Sequence, residues 1–169
     1  RASAVTPELL VRRIHGHGRR AVLEVVSETE EDELQSIHMA IALGVDIVMG
    51  GTHVPAALEL LSGSDLLYYP FPGQVVEHPS ILKGSLPELV TSTRKLAETQ
   101  GVHGLDLLAY RWTGQEVAQL ITDVVAAASV PVVVAGSISR SAQIDVVRAA
   151  GAWGFTVGSA LFERRFVSG

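Results

Sequence analysis

The feature that most constrains this chain is a rhythm: an apolar run of strand length, then a stretch of helical character, repeated six times. The strand-like runs are Ala21–Ser27, Asp46–Gly51, Leu66–Pro70, Gly104–Tyr110, Pro131–Gly136 and Gly154–Ser159. Helical stretches Thr29–Leu43, Val54–Leu61, Pro87–Gln100, Gln115–Ala128 and Ser141–Ala150 separate them, and another helix starts at Thr6-Pro7-Glu8. A capping hydroxyl followed by Pro and an acid is a helix start. Gly44, Gly101 and Gly151 follow helix ends, where a left-handed residue closes the last turn. No segment carries a hairpin signal, so the strands are expected to be parallel and joined by right-handed crossovers.

Two architectures satisfy that rhythm, an open doubly wound sheet and a closed barrel. No Gly-x-Gly-x-x-Gly follows an early strand, which disfavours the dinucleotide-binding version of the first. Each run ends in Gly, Ser, Thr, Pro or a charged residue, and a barrel's active-site rim is built from such strand ends. The expectation is therefore an α/β fold of the TIM-type (βα) barrel kind, one domain over residues 1–169. Of the 169 residues 47% are hydrophobic and only 18% are charged, as suits a sheet covered on both faces.

The last two units carry the chemistry. Val132-Val133-Val134-Ala135-Gly136-Ser137 is a buried strand that breaks into Gly-Ser before a helix, and Gly154-Phe155-Thr156-Val157-Gly158-Ser159-Ala160 repeats the design. Phosphate needs several backbone N–H groups converging on it, and a Cβ would block their approach. Gly136 and Gly158 leave that space, Ser137 and Ser159 add hydroxyl donors, and Ala160-Leu161-Phe162 can form a short helix pointing its N-terminal end at the anion. One Gly-Ser turn would be ordinary; two in consecutive final units are specific.

Residues 131–138 and 151–163 resemble the closing units of the ribulose-phosphate-binding barrels, and within them the phosphoribosyl isomerase and cyclase barrels of histidine biosynthesis. The resemblance implies that Gly136, Ser137, Gly158 and Ser159 hold a phosphate at the ends of the seventh and eighth barrel strands. The six strands would then be the third to the eighth, with the first two βα units absent from a chain that starts without an initiator Met. A looser resemblance covers Tyr68-Tyr69-Pro70-Phe71-Pro72-Gly73 with His78-Pro79. It points to a group of small bacterial barrel proteins, some of them labelled 4-hydroxythreonine-4-phosphate dehydrogenase. Nothing in the chain matches the histidine metal site of the authentic enzyme of that name.

Catalytic candidates are polar residues interrupting apolar strands. Glu24 and Asp106 do so, and a carboxylate inside a parallel strand is costly unless it is paired or used. Strand parity puts Asp106, Leu108 and Tyr110 on one side, with Arg111 at the rim as a clamp for a carboxylate or phosphate. Phe71–Leu86 is a long loop on the active-site face, expected to act as a mobile lid that brings Tyr69, Glu77 or His78 to the substrate. Gly51 and His53 follow the second strand; His53 is either an acid–base group or a cap for the helix it begins. The other four histidines are read as structural. Their spacing gives no zinc motif, and no metal or cofactor is expected. The only lysines, Lys83 and Lys95, lie in the long loop and on a helix, which argues against Schiff-base chemistry.

Net charge is -5, and Arg12, Arg13, Arg19 and Arg20 form the densest basic patch, read as a solvated face. Nucleic acid and membrane are not expected as partners. The sequence has no cysteine and no membrane-length apolar run, and the absence of a signal peptide and a cytoplasmic location are expected. The functional expectation is an isomerase, epimerase or lyase acting on a small phosphorylated metabolite, in a monomer or homo-oligomer, with Glu24, Asp106 and His78 as catalytic groups. The alternatives are a barrel that senses a phosphate ester without turning it over and an oxidoreductase holding a flavin phosphate.

Overall fold

The computed structural model describes residues 5–27 and 29–166. Helix α1 (Pro7–Gly16) leads into β1 (Val22–Val25), α2 (Glu30–Leu43), β2 (Ile47–Gly50), α3 (Val54–Leu61) and β3 (Leu67–Tyr69). Two further short strands follow, β4 (Gln74–Val76) and β5 (Ile81–Lys83), and then α4 (Leu86–Ala97). The last units are β6 (Leu105–Leu107), α5 (Val117–Ala127), β7 (Val132–Val134), α6 (Ser141–Ala149), β8 (Gly154–Phe155) and a short α7 (Ser159–Phe162). Local chemistry sets these limits. The Thr29 hydroxyl accepts from the Asp32 N–H at the start of α2, and Gly44 closes that helix in the left-handed region at φ 67°.

β1, β2 and β3 pair in parallel in that order, and so do β6, β7 and β8. Backbone bonds link the two sheets, from His103 N–H to Tyr68 O at 2.9 Å and from Asp106 N–H to Pro70 O at 3.1 Å. The six parallel strands thus follow one another in chain order, without the reversal that a doubly wound sheet requires. The fold is mixed α/β, and no ladder among the described residues closes β8 onto β1.

The sheets bury two faces. Outward-facing Val48, Leu105, Leu107 and Val134 pack under the helices with Ile37, Leu89, Leu120 and Ile121. Inward-facing Ile47, Met49, Tyr69 and Val133 form a smaller cluster within the curve of the sheet.

The segment expected to be an unstructured lid is instead an antiparallel ribbon, with Gln74 opposite Lys83 and Val76 opposite Ile81. Its base is held down. Leu82 is buried and bridges to Trp112, Thr113 N–H donates to Leu82 O, and the Trp112 indole donates to Gly84 O. A second departure concerns the strand expected to run to Tyr110. It ends at Leu107, and Ala109–Arg111 form a 3₁₀ turn. Tyr110 therefore leaves the side it was expected to share with Asp106, and its hydroxyl donates to Gln143 O on α6.

Candidate active site

The C-terminal ends of the parallel strands open onto a cavity of about 610 Å³. Seven residues singled out from the sequence line it: Glu24, His78, Arg111, Gly136, Ser137, Gly158 and Ser159. Gly51 lies in a smaller adjoining cavity of about 240 Å³. Tyr69 lies in neither. It belongs to the buried inner cluster, where its ring packs against Gly104 and meets Trp153 edge-on at 6.5 Å between centroids. Glu77 lines the smaller cavity, and His78 is exposed at the tip of the ribbon.

The Gly136–Ser137 loop is bent by two successive residues with positive φ, 97° and 63°. At Gly136 a Cβ would press on Arg111 Cγ and the Arg111 amide, each 3.1 Å away, so glycine lets the two rim segments meet. The amides of Ser139 and Arg140 are taken by the Gln143 side chain. Those of Ser137, Gly158 and Ser159 have no acceptor among the described residues. Three unfilled N–H groups on two neighbouring loops are what an anion needs. Around Gly158 a Cβ would meet no protein atom, so the space beside it is open.

Arg111 joins the cavity walls. Its Nε donates to Ser137 Oγ at 3.1 Å, and Nη1 lies 3.4 Å from Ser80 O on the ribbon. Sequence reasoning placed Arg111 at the rim but not Ser80, which is two residues beyond His78 and has no motif of its own.

Glu24 faces the cavity from β1. Crowding by the cavity walls pushes its carboxyl above the usual range, while the guanidinium of Arg111 pulls it down. Asp106 lies on β6 with 0% of its surface exposed, and neither carboxylate oxygen has a hydrogen-bond partner. Burial drives its carboxyl well above the ordinary value, and the charge of Glu24 adds to the rise. Burial thus disfavours its charged form, and Asp106 itself lines neither cavity. Among the described residues no three His, Asp or Glu side chains are grouped to hold a metal.

A residue absent from the sequence-based candidates also shapes the rim. Glu33 of α2 is wholly buried and reaches across to the loop after β2. Its oxygens accept from Thr52 N–H at 2.9 Å and His53 N–H at 3.2 Å, and lie 2.8 Å from His53 Nδ1. His53 is the N-cap residue of α3, but the capping oxygen comes from Glu33. A carboxylate in the first turn of an acidic helix start carries no sequence signal for that reach.

No protein-family model matches the chain, and no curated protein does. Solved structures do. A Burkholderia cenocepacia J2315 protein assigned as a phosphonomutase aligns with a TM-score of 0.61 at 16% identity, over 94% of this chain and 70% of that one. FabK from Thermotoga maritima aligns at 0.55 and 15%, over 94% and 49%. Nitroalkane oxidase from Streptomyces ansochromogenes aligns at 0.54 and 16%, over 89% and 53%. These neighbours are TIM-barrel enzymes, and the chain spans about half the length of the latter two. At such identities the likeness is one of fold. None of the three is a histidine-biosynthesis isomerase or cyclase, or a 4-hydroxythreonine-4-phosphate dehydrogenase, so the match reaches the barrel and not those groups.

Proposed function

We propose that the chain is the third to eighth βα units of a (βα)8 barrel enzyme that binds a small phosphorylated substrate and rearranges it by acid–base chemistry. Exposure around the sheet supports the missing units. On β2 the inward-facing Ile47 and Met49 are 3% and 4% exposed, whereas Val22 and Val26, on the same side of the sheet at β1, are 48% and 44% exposed. Trp153 and Phe155 are likewise bare at the β8 edge. Two further βα units between β8 and β1 would cover this surface, as barrel closure requires.

The observation that carries the substrate class is that Ser137, Gly158 and Ser159, whose amides have no acceptor among the described residues, line one cavity with Arg111 and Glu24. The phosphate sits on the loops after β7 and β8, and Arg111 adds its charge to the anion. Asp106, whose burial disfavours its charged form, gives a proton; Glu24 takes one; His78 approaches from the ribbon. These roles fit an isomerase, epimerase or lyase. The test is calorimetric titration with inorganic phosphate. Wild type binds it, and Gly158→Asp, which puts a carboxylate into the open space beside the amides, loses at least tenfold in affinity. Equal affinity in the two proteins would remove the phosphate site.

A further inference from the structure

The rim carries a third glycine-rich loop at a helix start, and this one is already filled. Gly50-Gly51-Thr52 leaves the end of β2, and the amides of Thr52 and His53 lie at the start of α3. Their acceptor is the buried carboxylate of Glu33. Gly51 has φ 82°, and a Cβ there would run into that carboxylate, so the glycine is what lets Glu33 dock. Among the described residues Glu33 has no Lys or Arg partner; it is held by N–H groups and the His53 ring. A second anion brought beside it would meet a buried negative charge in a medium of low dielectric, with the amides already spent.

The smaller cavity adjoins this loop. It shares Val26 and Ser80 with the larger one, so the two lie side by side. Their chemistry differs. Arg111 and Arg165 line the larger cavity, whereas among the described residues no Lys or Arg lines the smaller. The smaller is lined by Ser27, Thr52, Phe71, Val76 and Glu77, whose carboxylate accepts from Lys83 Nζ at 2.9 Å.

We propose that the ligand is a monophosphate whose far end is an uncharged or cationic hydrogen-bonding group, such as a polyol or amino-sugar head, seated in the smaller cavity; Glu33 excludes a second anion there. The proposal rests on the phosphate site argued above. It implies a ligand of sugar-phosphate length, polar at both ends and negative at only one.

A matched six-carbon series tests it by calorimetry on the purified protein: glucosamine 6-phosphate, glucose 6-phosphate and 6-phosphogluconate, with inorganic phosphate as the reference. The first two bind at least tenfold tighter than inorganic phosphate, and 6-phosphogluconate at least tenfold weaker than glucose 6-phosphate. Val76→Trp, which fills the smaller cavity, lowers affinity for the two sugar phosphates at least tenfold and leaves inorganic phosphate within about twofold. Glu33→Gln, checked for folding by thermal melt, narrows the penalty on 6-phosphogluconate. The proposal is overturned if 6-phosphogluconate binds as tightly as glucose 6-phosphate. It is equally overturned if the sugar phosphates gain nothing over inorganic phosphate, or if Val76→Trp leaves them unchanged. Should wild type fail to bind inorganic phosphate, or Gly158→Asp bind it unchanged, the phosphate site itself falls and takes this proposal with it.

Discussion

Replacing Asp106 by Val separates function from stability at one position. Asp106 is fully buried with both oxygens unpartnered, and leaving a buried polar group unsatisfied costs about 1–3 kcal/mol. Valine keeps the strand and removes that cost. A second contribution depends on pH. In the folded chain burial pushes this carboxyl well above its ordinary value of 3.8, while the unfolded chain releases the proton near that value. Between the two values the folded state binds one more proton than the unfolded state, so stability falls as pH rises. One proton corresponds to about 1.4 kcal/mol per pH unit. Below the unfolded value the difference is absent, and above the folded value it is complete. Asp106→Val therefore melts higher than wild type, by about 2–12 °C for the polar cost alone, at about 2–4 °C per kcal/mol for a chain of this size. Its advantage widens as pH rises from the unfolded value toward the raised folded one. Thermal melts across pH 4–8, monitored by circular dichroism, measure both. Turnover falls by about a hundredfold or more, the usual cost of losing a general acid. A variant that melts lower than wild type, or an advantage that stays flat with pH, would refute the neutral buried acid.

Two more outcomes follow from the rim. Ser137 adopts φ 63°, a region that costs a non-glycine residue about 1 kcal/mol or more, so Ser137→Gly leaves stability unchanged or raises it by up to about 1 kcal/mol. Because the same change removes the hydroxyl that accepts from Arg111 Nε, phosphate-ester affinity falls about three- to tenfold, read by calorimetry beside a denaturant melt. The ribbon needs a gentler test than deletion, because Leu82 belongs to the core. Exchanging Glu77–Ser80 for Asn-Gly keeps Val76 opposite Ile81 and removes only the tip. The melting temperature stays within about 4 °C and turnover drops at least tenfold; undiminished turnover would exclude His78 and Ser80 from the mechanism.

The sequence alone determined whatever depends on neighbours along the chain. The alternation of strand-like and helical segments, the Thr29 start and the Gly44 stop of α2, and the limits of α3 follow from local backbone preference, and the structure places them where the sequence does. The two Gly-Ser turns were legible for the same reason, since a loop that must bend sharply at a strand end needs residues without bulk. Tertiary structure decided the rest. The β4–β5 ribbon has a four-residue tip without an Asn-Gly or Asp-Gly signal, and it forms on the contact of Leu82 with Trp112, thirty positions away. Tyr69 reads as a rim residue, yet Gly104 on the neighbouring strand leaves room for its ring inside the curve of the sheet. Asp106's isolation, and the charge of Glu24 on β1 acting on it, are defined only by the packed sheet. Glu33 reaching the amides of Thr52 and His53 is the plainest case: hydrogen bonds across nineteen and twenty residues form because α2 lies over the loop after β2, a proximity that no local pattern encodes.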